Sequence, residues 1–204
     1  MIKLYWAANT ISSASAVALE EGGVHWESVE VDFKSAEQTT PAYMEINPKG
    51  RVPALATPGG TITETGAILE YIGATLIHSL VPIDPLAAAR MREVMYYLAS
   101  TMHVNHAHRM RGARWADLET SWDDMKSKVP ETMTASCGFI ENVIEGPFVF
   151  GEQITLADCW LYPISTWLES DGVDVTAFPK VEAFRSAMEA RPSVKAIRSL
   201  GMVS

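Results

Sequence analysis

The stretch Glu45–Ile72, "EINPKGRVPALATPGGTITETGAILEYI", decides the fold of this chain. It holds two short runs typical of β-strands, RVPALAT and TITE, joined by Pro-Gly-Gly, which is a hairpin signal. An amphipathic run, TGAILEYIGATLI, follows at once and predicts a helix. A hairpin that runs directly into a helix is therefore expected at the end of a first domain.

The residues before this stretch predict a β-α-β unit. Ile2–Ala7 is rich in β-formers, Ser12–Glu21 carries Ala and Leu at helical spacing before Gly22, and the run HWESVEVDF alternates like a strand. Two strands separated by a helix of this length form a parallel pair with a right-handed crossover. We therefore predict a thioredoxin-like domain over residues 1–76.

The composition of the chain changes after this domain. The run HSLVPIDPL contains two prolines and no periodicity, so residues 77–86 are interpreted as a linker. From Ala87 onward the patterns are helical, which predicts an all-α domain over residues 87–204. The expected helices lie at about 87–115, 122–144, 155–168 and 179–190, with a terminal turn at 193–200.

Composition excludes several functional classes. A formal net charge of −9 over 204 residues argues against binding to nucleic acid, which needs basic surfaces. The two cysteines stand in no metal or redox spacing, which fits a reducing compartment. No apolar run reaches the ~18 residues of a membrane span, and the N-terminus reads as a strand rather than a signal peptide. We expect a cytoplasmic protein without membrane contact.

Three motifs, NPKGRVPAL, TETGAILEYI and ITLADCWLYPI, together resemble the glutathione S-transferase superfamily, and most of all its bacterial beta-type members. The resemblance covers the whole chain. It implies a thioredoxin-like glutathione-binding domain followed by an all-helical domain that carries the electrophile-binding site. It also implies glutathione as co-substrate, no metal, and a homodimer, for which the apolar helix from Ala87 is the expected interface.

The resemblance implies a glutathione-binding set of Arg51, Val52, Pro53, Glu64 and Thr65. In the family the Val-Pro bond is cis and turns the backbone of Val52 toward the cysteinyl part of glutathione. Glu64 and Thr65 hold the γ-glutamyl end, and Thr65 is also expected to cap the following helix. Purely structural alternatives exist for both motifs. Pro53 could be an edge-strand proline without a ligand, and Glu64 with Thr65 could form only a helix cap.

The thiolate of glutathione needs hydrogen-bond donors from the loop after the first strand. Ile11 stands where beta-type relatives have a cysteine, so a mixed disulfide at this position is excluded. We favour Ser12 as the main donor, followed by Thr10 and Asn9, with Ser13 a further hydroxyl in the loop. The alternative for these residues is capping of the first helix.

A histidine cluster marks the helical domain. His103 aligns with a histidine that reaches glutathione in beta-type relatives, although Val104 replaces their neighbouring lysine. His103 and His106 share one helix face, but no third ligand for a metal lies nearby. Three arginines follow, and they either match the end of the helix dipole or bind an acidic substrate: Arg109, Arg111 and Arg114.

Thr155 and Asp158 have the spacing of a capping box at the start of a helix. Asp158 is therefore interpreted as a structural residue and not a catalytic one.

The sequence predicts an enzyme that binds glutathione, stabilises its thiolate and conjugates it to an electrophilic hydrophobic substrate. Two alternatives remain open at this point. One is a non-catalytic binding or assembly module of the same family, and the other is a specialised glutathione-dependent lyase, isomerase or dehalogenase.

Overall fold

A computed structural model describes all 204 residues. Its contacts divide the chain into a first unit, Met1–Ala88 with Glu189–Ser204, and a helical unit, Ala89–Met188. The sequence predicted that residues 87–204 all belong to the second domain. The grouping of residues 189–204 with the first unit was not expected from the sequence.

The first unit contains one mixed sheet of four strands in the order β2-β1-β3-β4. The strands are β1 (Ile2–Trp6), β2 (Trp26–Glu30), β3 (Ala54–Thr57) and β4 (Gly60–Thr63). β1 and β2 are parallel, whereas β3 runs antiparallel to both β1 and β4. Leu4 and Trp6 are buried on one face of β1, as the alternation along the strand requires. The predicted thioredoxin-like sheet is confirmed.

Helices α1 (Ser12–Glu21), α2 (Pro41–Ile46) and α3 (Thr65–Thr75) belong to this unit, and α1 has the bounds predicted from the sequence. Residues 12–19 of α1 are all buried, because α1 packs against β1, α3 and the last helix, α9 (Pro192–Ser199). Small Ser and Ala side chains allow this close packing on several sides.

Helix α9 is joined to α1 by a strong ion pair. The guanidinium of Arg191 donates two hydrogen bonds of 2.6 Å to the carboxylate of Glu21, and the hydroxyl of Ser193 donates to the same carboxylate. Bidentate Arg–carboxylate pairs combine charge with fixed geometry. The predicted terminal turn is therefore a complete helix that is part of the first unit.

The helical unit confirms the all-α expectation. Its helices are α4 (Pro85–Tyr97, which begins at the end of the first unit), α5 (His103–Ala107), α6 (Glu119–Val143), α7 (Leu156–Ser165) and α8 (Pro179–Ala190). A π-helical segment, Leu98–Met102, joins α4 to α5. No helix of the chain is long and apolar enough to cross a membrane.

The prediction of one helix from 87 to about 115 was wrong at its C-terminal end. The helix stops at Ala107, and the chain turns through a short 3-10 segment, Gly112–Arg114. A Cβ at Gly112 would stand 2.8 Å from the Cβ of Trp122, so the two backbones approach more closely than any other residue allows.

The capping box at the start of α7 is present as predicted. Asp158 is fully buried, and its carboxylate accepts from the backbone N–H of Thr155 at 2.6 Å and from that of Val149 at 2.7 Å. The hydroxyl of Thr155 lies 2.8 Å from the same carboxylate. Burial raises the pKa of Asp158 to about 6, and the hydrogen bonds to the carboxylate oppose that rise.

Candidate functional site

The strand register brings three of the predicted segments to one edge of the sheet. Tyr5 pairs with Ala54, and Ala54 pairs with Thr63. The loop after β1, the segment before β3 and the segment after β4 therefore all leave the sheet at this edge, which we call the binding edge (residues 7–12, 51–53 and 63–65). The candidate residues of the first unit lie on these three segments.

The Val52–Pro53 peptide bond is cis, as predicted. Val52 is partly exposed, and neither its backbone N–H nor its C=O forms a hydrogen bond with the rest of the chain. The preceding carbonyl, that of Arg51, accepts from the hydroxyl of Tyr43 at 2.7 Å and from the Nδ2 of Asn47 at 2.6 Å. The segment is thus held in place while one N–H and one C=O remain available to a ligand.

Tyr43 and Asn47 were missed by the sequence analysis. Both are buried, at 3% and 1% exposure. Burial raises the pKa of Tyr43 to about 12, so its hydroxyl stays protonated and able to donate at neutral pH. The only signal available was the Asn-Pro pair in the quoted stretch, which marks a turn but does not identify its partner.

Glu64 and Thr65 form the junction between β4 and α3. Glu64 has φ 75°, a conformation rare for a residue with a side chain, and it precedes the first helical residue, Thr65. Thr65 makes no capping hydrogen bond, so the expectation that it caps the helix is wrong. The first intrahelical bond runs from Ile68 N to Glu64 O, which leaves the amides of residues 65–67 free for an anion.

Lys49 also belongs to this edge, although the sequence analysis did not single it out. Its ammonium donates to the Thr63 hydroxyl at 2.6 Å and pairs with the carboxylate of Glu64. The Lys49 and Glu64 side chains are 40% and 64% exposed. Both charges are therefore accessible to a ligand that carries an ammonium and carboxylates.

The hydroxyls of Thr10 and Ser12 form a network in the loop after β1. They lie 2.6 Å apart, and the Thr10 hydroxyl donates to the carbonyl of Ala7 at 2.8 Å. The oxygen of Ser12 accepts from the N–H of Ala7 at 3.3 Å, and the Ser12 side chain is fully buried. Thr10 is partly exposed. Of the two hydroxyls, that of Thr10 is the one that a ligand can reach.

The alternative interpretation, capping of α1 by these residues, is met only in part. The N-cap residue is Ile11, and it has no side-chain capping bond. Ser13 is buried, and its hydroxyl donates back to the carbonyl of Thr10 at 2.9 Å. The Thr10 oxygen accepts from the backbone N–H of Ser12, the first residue of α1, at 3.4 Å, so it organises the loop and also satisfies one of the first helical amides.

Asn9 is held by the C-terminal segment of the first unit. Its backbone N–H donates to Met202 O at 2.9 Å, and its Oδ1 accepts from the N–H of Ser204 at 3.0 Å. Because a backbone N–H can only donate, this bond identifies the oxygen of the Asn9 amide and leaves its NH2 group as a donor. Asn9 is exposed and has φ 54°.

A second polar cluster lies in the helical unit. His106 places its Nδ1 2.7 Å from the Oδ2 of Asp171, and its ring stacks on Trp167 with centroids 4.1 Å apart. The ring of His103 lies 5.4 Å from that of Trp167. Arg109 binds the other oxygen of Asp171 at 3.3 Å and donates to the carbonyl of Ser170. The sequence analysis identified these basic residues but missed Trp167 and Asp171.

No group of three or more His, Cys, Asp or Glu side chains in this chain could hold a metal ion. The two cysteines, Cys137 and Cys159, are free and buried. Burial raises the pKa of the Cys137 thiol to about 12, so this thiol stays protonated at neutral pH. Cys137 is therefore structural and not a nucleophile.

Comparison with known proteins gives consistent matches over both parts of the chain. The family model for the glutathione S-transferase N-terminal domain matches residues 1–74, and that for the C-terminal domain matches residues 106–192. A glutathione transferase homologue from Sulfitobacter, solved with bound glutathione, is 52% identical over 99% of each chain, with a TM-score of 0.96.

More distant relatives carry more than one functional name. A glutathione S-transferase of Escherichia coli O157:H7 is 25% identical, over 95% of this chain and 96% of the length of that protein. A maleylacetoacetate isomerase of Pseudomonas aeruginosa is 28% identical and covers 95% and 94%. A sphingomonad glutathione S-transferase complexed with glutathione is 28% identical over 98% of each chain, with a TM-score of 0.83.

Proposed function

Because this chain belongs to the glutathione S-transferase superfamily, we propose that it binds glutathione at the binding edge and conjugates the thiolate to an electrophilic hydrophobic substrate. The observation that carries the proposal is the backbone of Val52, whose N–H and C=O are left without partners beside the cis-proline. An extended peptide can pair with both groups as an added strand does.

The rest of the edge matches the remaining parts of glutathione. The free amides at the start of α3 and the hydroxyl of Thr65 suit the γ-glutamyl carboxylate, and Glu64 suits its ammonium. Arg51 and Lys49 are exposed cations in an acidic chain, and they suit the glycyl carboxylate. Pro53 is buried and shapes the segment rather than binding the ligand.

The donors that we propose for the thiolate rank differently from those predicted from the sequence, which placed Ser12 before Thr10 and Asn9. Thr10 is partly exposed and becomes the first donor, with the Asn9 amide as the second. Ser12 supports Thr10, because its buried hydroxyl donates to the Thr10 oxygen once Thr10 turns its own hydrogen to the sulfur. His103 of the helical unit stays a prediction as a further glutathione ligand.

The test replaces the hydroxyl of Thr10 and compares two variants. A charge-assisted hydrogen bond is worth about 1.5–3 kcal/mol, so Thr10→Ala should raise the pKa of the bound glutathione thiol by about one to two pH units. Conjugation at neutral pH should become about tenfold slower, because less thiolate is present. Thr10→Ser keeps the hydroxyl and should behave like the unaltered protein. The thiolate is followed by its ultraviolet absorbance against pH, and an unchanged titration in both Thr10→Ala and Asn9→Ala would refute this assignment.

Lys49→Ala and Glu64→Ala should instead weaken glutathione binding while leaving the thiol titration in place. Calorimetry at neutral pH measures that affinity. Binding of glutathione without turnover of 1-chloro-2,4-dinitrobenzene would favour the non-catalytic binding or assembly module.

A glutathione-dependent isomerase is the second candidate function. It is favoured by the near full-length match to proteins named maleylacetoacetate isomerase. The same binding edge serves either reaction, since both begin with the thiolate. Glutathione-dependent cis–trans isomerisation of a maleyl compound, followed by the change in its ultraviolet spectrum, separates the two.

We also expect a homodimer in the cytoplasm. Leu86 and Tyr96 of α4 are large apolar side chains that are 68% and 63% exposed, which is typical of a surface that a partner covers. Light scattering should give about 45 kDa, twice the chain mass of 22.4 kDa. A mass near that of one chain at micromolar concentration would contradict this.

A further inference from the structure

Two side chains of α2 donate hydrogen bonds to one oxygen at the binding edge, the carbonyl oxygen of Arg51. The hydroxyl of Tyr43 lies 2.7 Å from this oxygen, and Nδ2 of Asn47 lies 2.6 Å from it. Tyr43 lies within α2 and Asn47 is the residue that ends it, so the two stand four positions apart and share one face of the helix. This spacing allows both donors to converge on a single acceptor.

The carbonyl oxygen of Arg51 and the N–H of Val52 belong to the same peptide group. This group is planar and trans, since the only cis bond of the chain is the next one, Val52–Pro53. In a trans peptide the C=O and the N–H point in opposite directions. The donors that hold the oxygen toward α2 therefore direct the Val52 N–H away from α2, where it has no partner in the chain. They also polarise the peptide group, which makes this N–H a stronger donor.

Both donors are held firmly on this oxygen. Tyr43 is 3% exposed, and its ring packs edge-on against Tyr5 with centroids 6.1 Å apart. Asn47 is 1% exposed, and its Oδ1 accepts from the backbone N–H of Lys49 at 3.2 Å. Rotation of the Arg51–Val52 peptide group would leave two buried donors without an acceptor, which is unfavourable. The direction of the Val52 N–H is thus set before any ligand binds.

We propose that Tyr43 is a positioning residue for glutathione, and that it makes the site selective for thiols that carry a peptide carbonyl at the cysteinyl residue. This inference rests on the proposed function. The oriented Val52 N–H donates to that carbonyl, so the ligand does not have to order the binding edge when it binds. A thiol without the carbonyl gains nothing from this orientation. Tyr43 acts on the ligand through the peptide group of Arg51 and Val52.

The test measures how strongly full-length Tyr43→Phe binds two ligands. One is glutathione, and the other is γ-glutamylcysteamine, which has the same γ-glutamyl and thiol groups but no cysteinyl carbonyl. The dissociation constant of glutathione should rise roughly three- to tenfold, the range expected for the loss of one net hydrogen bond. That of γ-glutamylcysteamine should change less than about twofold. The pKa of the bound glutathione thiol and kcat at saturating glutathione should not change, because Thr10 and Asn9 are untouched.

Tyr5→Phe is the matched control for this experiment. It removes a hydroxyl that forms no hydrogen bond in the chain from the ring that packs against Tyr43, and it should leave both affinities unchanged. Unfolding midpoints show whether each variant is folded. An unchanged affinity for glutathione in folded Tyr43→Phe, or equal losses for the two ligands, would overturn the inference and leave the proposed function intact. An unaltered protein that does not bind glutathione would overturn both.

Nitrogen-15 relaxation of the unaltered protein tests the same point if Tyr43→Phe does not fold. Without a ligand, the Val52 N–H should have an order parameter of about 0.85, the value of rigid backbone, although nothing in the chain accepts from it. A value below about 0.6 would mean that the peptide group is not held, and would overturn the inference. Glutathione should shift the Val52 amide resonance more than γ-glutamylcysteamine does, and equal shifts would also overturn it.

Discussion

Two aspartates of the helical unit are almost completely buried, and yet they bind different kinds of partner. Asp158 and Asp171 are 0% and 2% exposed. The carboxylate of Asp158 accepts from the backbone amides of Thr155 and Val149, which lie three and nine positions away, and from the hydroxyl of Thr155. The carboxylate of Asp171 binds the imidazole of His106 and the guanidinium of Arg109, more than sixty positions away.

The partners, and not the burial, distinguish the two sites. Backbone amides keep their hydrogens at every physiological pH, so a carboxylate bound to them can only hold the chain in place. An imidazole gains and loses a proton near neutrality, so a carboxylate bound to it fixes a group that can take part in a reaction. A buried acid is therefore a functional candidate only when what it binds can change its protonation.

The largest effect should follow from removing the carboxylate that binds backbone. Asp158→Ala leaves two buried N–H groups and one hydroxyl without an acceptor, and should lower the free energy of unfolding by about 3–5 kcal/mol. Urea denaturation followed by circular dichroism measures this. Asp174→Ala is the matched control, because exposed Asp174 likewise accepts from the N–H and hydroxyl of Thr176, at 3.1 and 2.6 Å, and should cost about 1 kcal/mol or less. Equal losses in the free energy of unfolding for Asp158→Ala and Asp174→Ala would mean that burial of the carboxylate adds nothing.

The same site should also make stability depend on pH. Burial raises the pKa of Asp158 to about 6, above its unfolded value, so the folded protein holds this proton more tightly. The resulting stabilisation is complete below about pH 4 and is lost as the pH rises toward 6, a change of about 2–3 kcal/mol. Asp158→Asn cannot titrate, so its deficit against the unaltered protein should shrink over that range. If the stability deficit of Asp158→Asn grew with pH instead, the hydrogen bonds would lower the pKa of Asp158 by more than burial raises it.

Of the two buried aspartates, Asp171 should contribute less to stability, and Asp171→Asn tests this. Its partners His106 and Arg109 are 22% and 30% exposed, so water replaces part of what the carboxylate supplied, and the amide oxygen still accepts one bond. We expect a loss of about 1–2 kcal/mol in the free energy of unfolding. Measured beside Asp158→Asn at pH 7, this variant should be clearly the more stable. A loss as large as that of Asp158→Ala would mean that Asp171, like Asp158, is mainly a structural residue.

What could be read from the sequence follows the same division between local and distant partners. Helix α1 and the capping box of Thr155 and Asp158 were predictable because each signal lies within a few residues. The pairing of His106 with Asp171 was not, because it depends on tertiary packing between α5 and the segment after α7. No spacing rule connects positions so far apart.

At the binding edge, the sequence predicted some features correctly and others not, because backbone conformation and exposure are not encoded in a motif. The cis bond at Pro53 was predictable from a motif, but the capping role given to Thr65 was wrong by one position. A pattern favours threonine over glutamate as a cap, and it cannot show that Glu64 adopts a positive φ. The exposure of Thr10 relative to Ser12 also depends on how the loop closes, which hydroxyl chemistry alone does not determine.

The return of α9 to α1 has a consequence for how the chain assembles during synthesis. The ion pair between Glu21 and Arg191 joins residues 170 positions apart, so the first unit is discontinuous in the chain. A polypeptide that leaves the ribosome N-terminus first exposes one side of α1 until the residues of α9 have been synthesised. The helical unit is continuous, and its residues are complete earlier. Closure of α9 on α1 can therefore take place only after every residue of the helical unit has been synthesised.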